Sequence, residues 1–586
     1  MCVTKGEPMS TRYNFRLSRL AVATFAGIAL AACGGGGSDD VWTDESGFLR
    51  YVPADSPYVF AQGQATPDEV MDKLVPWMES IATAYVDVLR TLVEQQLSFG
   101  GGPGELDTFN EFMAIAGEFT TADGLADAGI TRDSKLLIYG SGLLPVMRLT
   151  PIDGAKLEAA VARIESAAGV TSSQGTIGGR SYRYWGDSNA RAIIAINDDE
   201  LVLTFAPTEH SDRHLGMVIG DDLPASNIAE SGKLEEIAQK YGFGPDYVGF
   251  LDVEQIAATF LAEPTGGIDT ELLAMLEYEY SAIPAVCRTE IGELAGVAPR
   301  MVAGYTALDA EQMAMNMIVE LRQDIAAGLQ GITAPVPGNG TFRSDILTVG
   351  VGVDVQATLD FVEARMNAIQ ADPFRCEYFA ELQANLPMAR QMLLSQPIPP
   401  DVYAFKGLVI GLDAIEGLDQ VAVGGMPSEI SARVLVASDN APGLIQMGAM
   451  ISPELGAIRT DGNPVRVNLP IPLPIPLEVW AALTPTAIGV AVGPDGEARL
   501  RELLRAPVSD ARPFMSFDMD AQRYYELFGD IMNAAAAFDQ TMLPEQTLAL
   551  NQIMAQFSNG PFEREYYDVR FTANGVEMPT TITLSD

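Results

Sequence analysis

His210 and His214 are the only histidines in the chain, and Glu209-His210-Ser211-Asp212-Arg213-His214 sets them one helical turn apart with carboxylates alongside. On a helix that spacing puts both imidazoles on one face. Neutral imidazoles joined by Glu209 or Asp212 are donors that hold zinc or copper. No HExxH pattern and no distant Cys/His set accompanies the pair, so the segment reads first as a solvated polar helix face, with a partial metal site as the alternative. Gly140-Ser141-Gly142 lacks the spacing of a GxSxG nucleophile elbow, and two adjacent imidazoles leave a Ser-His-Asp triad few routes. Asp518-Met519-Asp520 and Asp198-Asp199-Glu200 lack the spacing of a calcium-binding EF-hand and read as caps and turns. Neither a dinucleotide GxGxxG nor a Walker loop occurs, so no cofactor is expected and the chain reads as non-enzymatic.

A different kind of chemistry is offered by Asn468 to Leu477, where Pro470, Pro472, Pro474 and Pro476 alternate with Leu and Ile. Proline removes ladder donors and fixes φ, so this segment is an extended, polyproline-like ribbon or a sheet-edge cover. Leu469, Ile471, Leu473, Ile475 and the following Trp480 form an apolar stretch. It reads as a loop clamped on the core, or as a contact for a hydrophobic ligand or a partner.

Arg12, Arg16 and Arg19 precede the apolar run Leu20 to Leu30, which is too short for a stable membrane span, and Ala31, Ala32 and Cys33 follow it. This arrangement resembles the lipobox of a bacterial lipoprotein precursor, with Leu30-Ala31-Ala32-Cys33 at its end and Met9 as a candidate true start. The resemblance implies removal of residues 1–32 and acylation of Cys33, palmitate included. Several acyl chains hold a protein at a membrane, each buried CH₂ contributing about 0.8 kcal/mol. In enteric lipoproteins Asp directly after the Cys favours retention at the inner membrane. Gly34 stands there in this chain, so the expected address is the outer membrane, facing the periplasm. Residues 33–46 carry Gly34 to Gly37 and read as the lipidated Cys with a flexible tether.

The formal charge is -42, and loss of residues 1–32 leaves the chain more acidic still. Such a body repels nucleic acid and anionic headgroups, so contact with the membrane is expected through the lipid anchor and no nucleic-acid partner is expected. With the leader and the acylation site accounting for Cys2 and Cys33, Cys287 and Cys376 are the two thiols of the body. An oxidising compartment invites them to pair.

The organising pattern is a short apolar strand, an Asp, and an amphipathic helix, clearest at Tyr247 to Leu261, Leu347 to Met366 and Phe514 to Met532. Asp252, Asp354 and Asp520 fall where a helix needs an N-cap. Weaker copies place Asp153, Asp439 and Asp495 in the same role. Hairpins are expected around Asn197-Asp198-Asp199, near Asp309 and at Asn574-Gly575. The fold class is therefore α+β, with repeated strand-Asp-helix units, antiparallel hairpins, and helices packed on mixed or antiparallel sheets in two related halves. Residues 332–342 (ITAPVPGNGTF) read as a linker between an N-terminal half, 47–331, and a C-terminal half, 343–586. YVPADSPYVFAQ (51–62), YGSGLLPVMRL (139–149) and the strand-helix units resemble a domain family of unknown function found in bacterial periplasmic and surface proteins. That resemblance implies a fold and a compartment, and no reaction.

The expectation is an outer-membrane lipoprotein that binds or scaffolds an envelope partner without catalysis. The alternatives are a carrier or chaperone for a hydrophobic ligand, and a metal-dependent hydrolase built on His210 and His214.

Overall fold

The computed structural model describes residues 41–585 apart from 45–46, 101–109, 111–112, 116, 187–188, 209–211, 395–398, 422–426, 451–454, 457, 468–476 and 539–543. Helices and strands interleave along the chain, and every strand pairing with a described register is antiparallel, which gives an α+β fold. The chain divides into two compact units. One holds residues up to 251 with 262–280 and 304–310; the other holds 252–261, 281–303 and 311 onward.

In the first unit the strands are β1 (Tyr58–Ala61), β2 (Ile130–Ser141), β3 (Leu144–Ile152), β4 (Ser173–Ile177), β5 (Arg180–Gly186), β6 (Ala190–Ile196), β7 (Leu201–Pro207) and β8 (Val248–Asp252). They lie side by side as β8-β1-β2-β3-β7-β6-β5-β4. The next strands along the chain are β9 (Arg300–Leu308) and β10 (Gln312–Glu320). In the second unit the strands after β10 are β11 (Leu347–Gly352), β12 (Phe405–Glu416), β13 (Glu429–Ser438), β14 (Val465–Arg466), β15 (Val479–Leu483), β16 (Ala487–Val492), β17 (Met515–Asp520), β18 (Phe562–Thr572) and β19 (Gly575–Leu584). Their lateral order is β10-β19-β18-β17-β11-β12-β13-β16-β15-β14.

Seven strands in each unit follow one plan. Taken in chain order, β1, β2, β3, β5, β6, β7 and β8 occupy the same lateral places as β11 through β17. The registers agree along the row through the buried arginines, and diverge beyond it, where β12 against β13 has a bulge between Leu412 and Ala414 that β2 against β3 lacks. Val248, Ala61, Leu137, Arg148 and Val202 lie in one row across the first sheet. Asp518, Thr348, Gly411, Arg433 and Ala491 form the corresponding row of the second.

Each row carries a buried arginine at its fourth place. Arg148 Nη1 donates to Glu200 Oε1 at 2.8 Å and Nη2 to the Val218 carbonyl at 2.5 Å, while the Tyr51 ring lies 4.0 Å from the guanidinium carbon. Arg433 Nη2 donates to Asp413 Oδ1 at 2.5 Å and Nη1 to Glu502 Oε2 at 2.7 Å, with the Phe342 ring at 4.4 Å. In both units a second arginine approaches the same carboxylate, Arg180 at 3.9 Å from Glu200 and Arg499 at 3.1 Å from Asp413. A guanidinium out of water is tolerated only beside a paired anion, which both arrangements provide, while Arg433 Nε and Asp413 Oδ2 are buried with no hydrogen-bond partner among the described residues. Glu200 is thus a buried ion-pair partner as well as a turn residue.

Local expectations meet the structure as follows. Asp252, Asp354, Asp520 and Asp153 each accept the amide of the residue three ahead, at 2.9, 2.9, 3.0 and 3.1 Å, and cap their helices. Asp439 does not: Asn440 Oδ1 accepts from the Gly443 amide, and Asp439 pairs with Lys406 at 3.2 Å. Asp495 holds the cap position at φ 53° with no side-chain cap bond, because its backbone is left-handed. The helix Asp68–Gly100 contains Pro76 and runs through it. Residues 332–342 lie inside the second unit, where Val336 and Phe342 are buried in a cluster with Val409, Leu435 and Leu503. Packing of its apolar residues makes that Pro/Gly-rich segment part of a core. Cys287 and Cys376 sulfurs lie 2.10 Å apart, at disulfide distance.

Candidate functional site

Period-2 alternation decides which side chains of β1 and β2 meet the two faces of the first sheet. Val59, Ala61, Leu137 and Tyr139 point to the face that holds Arg148 and are fully buried. Phe60, Leu136 and Ile138 point the other way and are half-buried. On that side lies a cavity of about 380 Å³ lined by Phe60, Gln62, Leu136, Ile138 and Tyr247.

The walls are set by backbone pairing. Phe60 sits opposite Ile138, and just past β1 the Gln62 amide donates to the Leu136 carbonyl at 3.0 Å. Gln62 Oε1 accepts the Leu136 amide at 2.8 Å, so the side chain extends the ladder and holds its own position. Gly249, opposite Phe60 on β8, is needed there: a Cβ would lie 2.4 Å from Phe60 Cδ1. The Tyr247 ring packs edge-on against Tyr305 with centroids 6.2 Å apart. Burial, with Tyr305 adding to it, pushes the Tyr247 hydroxyl up to about 12, so it stays protonated throughout the physiological range.

This lining has no acid, base, thiol or cation. It supplies apolar surface, one amide side chain and one phenol, which suits it to holding an uncharged molecule. At about 380 Å³ it falls within the roughly 300–1,000 Å³ typical of small-ligand sites. A second cavity, about 310 Å³, is lined by Glu118, Asp127, Lys156 and Arg163 among others, and Arg163 pairs with Glu118. Asp127 comes from the helix Ala122–Asp127 and Lys156 and Arg163 from the helix Gly154–Ala168, and Thr121 caps the first of these by accepting the Gly124 amide.

Residues singled out from the sequence fall elsewhere. His214 lies on the helix Asp212–Ile219 with Nδ1 3.5 Å from Glu271 Oε1, and His210 lies outside the described residues. Among the described residues no group of three or more His, Cys, Asp or Glu side chains converges on a metal-sized site. Cys33, Leu469, Ile471, Leu473 and Ile475 also lie outside them. Trp480 is half-buried on β15 and packs against a cluster of Ala482, Ala491 and Leu500. Cys287 and Cys376 join the helix Ala285–Ala295 to the start of the 3-10 turn Glu377–Phe379, far in sequence from the cavity residues.

The cavity was missed in the sequence because its five residues come from three separated segments. Alternation in YVFAQ and KLLIYG was the available signal, and it does not say which face is covered. No family model matches the chain, and no curated protein and no solved structure is significantly similar to it. Among the described residues no helix is long and apolar enough to cross a membrane.

Proposed function

We propose that this chain is a lipid-anchored protein of the bacterial outer membrane, facing the periplasm, that binds an uncharged apolar ligand without chemical change. The observation that carries the binding reading is the cavity at Phe60, Gln62, Leu136, Ile138 and Tyr247. It favours a carrier over a docking scaffold because its volume and its uncharged, largely apolar lining match a small neutral molecule. An ionised ligand would lose its hydration with no counter-charge in the lining, and the chain's net charge of -42 adds repulsion for an anion. The anchor rests on the lipobox-like Leu30 to Cys33, and the choice of outer membrane on Gly34 after the Cys.

The test is a titration of the full chain, carrying Cys33→Ser to remove the acyl anchor, with the neutral probe N-phenyl-1-naphthylamine. Saturable fluorescence enhancement is expected, displaced by 1-dodecanol and not by dodecanoate. Ile138→Asp should lower its amplitude while leaving the circular dichroism spectrum unchanged. Absence of saturable binding, or an amplitude indifferent to Ile138→Asp, would overturn the reading.

A further inference from the structure

The row correspondence between the sheets predicts which residues of the second unit stand where the cavity residues stand in the first. One residue along from the arginine rows, Tyr247, Gln62 and Leu136 map onto Phe517, Val349 and Ile410. On the far side of the row, Phe60 and Ile138 map onto Leu347 and Leu412. The pairings agree: Val349 lies opposite both Ile410 and Phe517, and Leu347 opposite Leu412. The aromatic neighbour is repeated too. Tyr567 meets Phe517 edge-on with centroids 6.2 Å apart, the same separation as Tyr305 and Tyr247.

The covered face of the second sheet mixes polar and apolar side chains, with Val409 and Leu435 fully buried beside Arg433. Thr348, Asp413, Arg433, Ser431, Ser516 and Asp518 are buried on one face. On the other, Leu347, Val349, Leu412 and Phe517 are only half-buried, and Ile410 is 41% exposed although β12 is paired on both sides. Apolar residues continue the row outward, Ile410 opposite Val434 and Val434 opposite Val490. An interior strand normally covers such a side chain, because each exposed apolar Å² costs about 25 cal/mol.

We infer that the second unit carries a second site for the same class of ligand, an uncharged apolar molecule, on Leu347, Val349, Ile410, Leu412 and Phe517, so that one chain holds two. This rests on the reading of the first cavity as a ligand site. The occupant follows from the equivalence of the positions and from the lining, in which none of the five side chains carries a charge. The second site also lacks the polar groups of the first, since Val349 stands for Gln62 and Phe517 for Tyr247. It takes an apolar chain or ring with no anchoring hydrogen bond.

The experiment is the stoichiometry of N-phenyl-1-naphthylamine on the same full chain by equilibrium dialysis, with sedimentation run in parallel. Two equivalents are expected, falling to one in Ile410→Asp and to one in Ile138→Asp. Ile410→Trp, which fills the face without adding charge, should also leave one, and guards against misfolding of the Asp variant. One equivalent in the parent chain, lost in Ile138→Asp and untouched by both Ile410 variants, overturns the second site and leaves the first standing. A parent chain that self-associates through this face, becoming monomeric in Ile410→Asp, overturns it as well. No binding at all overturns the reading of the first cavity.

Discussion

Arg148 and Arg433 keep a full positive charge inside the protein, each held by a carboxylate and covered by an aromatic ring. Removing one partner of such a pair leaves the other charge buried without compensation. Arg148→Ala or Arg433→Ala is therefore expected to cost about 3–5 kcal/mol, read as a lower urea midpoint for the unit that carries it. The double change Arg148→Met with Glu200→Gln should recover part of that loss, and a single-variant loss under about 1 kcal/mol would show that the pair is not isolated from water. Neither arginine stands out in the sequence. PVMRLT and SARVLV do set Arg148 and Arg433 in phase with side chains that prove buried, but a strand's alternation is equally satisfied with the cation outward.

At the scale of elements, the strand-Asp-helix pattern was legible because capping is local chemistry. Asp252, Asp354 and Asp520 each reach an amide three residues ahead, a distance fixed by the helix itself. Asp439 and Asp495 failed for reasons outside that local rule: a neighbouring Asn440 takes one cap, and a left-handed backbone turns the other away. The hairpin at Asn574-Gly575 follows from a glycine at φ 136°, where a Cβ would lie 2.1 Å from the Val319 carbonyl oxygen. The cysteine pair closes a loop of 89 residues in sequence separation, so constraint of the unfolded chain should stabilise the fold by about 4.5 kcal/mol. Replacing Cys287 and Cys376 together by Ser is expected to lower the melting temperature of the second unit. The same shift should appear in the parent chain under reduction, and equal melting with and without reductant would argue against a formed bond.

Across the whole chain, an acidic body built twice on one strand plan follows the lipobox-like Leu30 to Cys33, where the proposed processing removes residues 1–32 and acylates Cys33. Incorporation of labelled palmitate into the chain, with recovery in the outer-membrane fraction, is the expected result in a bacterial host. Cys33→Ser should abolish the label and release the body from the membrane. Label that persists in Cys33→Ser would remove the anchor from this account without touching either apolar site. Were the chain anchored as proposed, its net charge of -42 would be repelled by anionic headgroups and hold the body off the bilayer.

What the sequence determined by itself was short-range: the α+β class, the aspartate caps that hold, the hairpin turns and the pairing of two thiols. Each depends on residues within a few positions or on a count of cysteines. Only the tertiary structure decided which face of each sheet is covered, that residues 332–342 belong to a core, and that Arg148 and Arg433 occupy equivalent places. Period-2 alternation names two faces but cannot choose between them, and register across strands depends on pairing partners tens of residues away. The cavity beside Phe60 and the exposure of Ile410 arise from that choice of face.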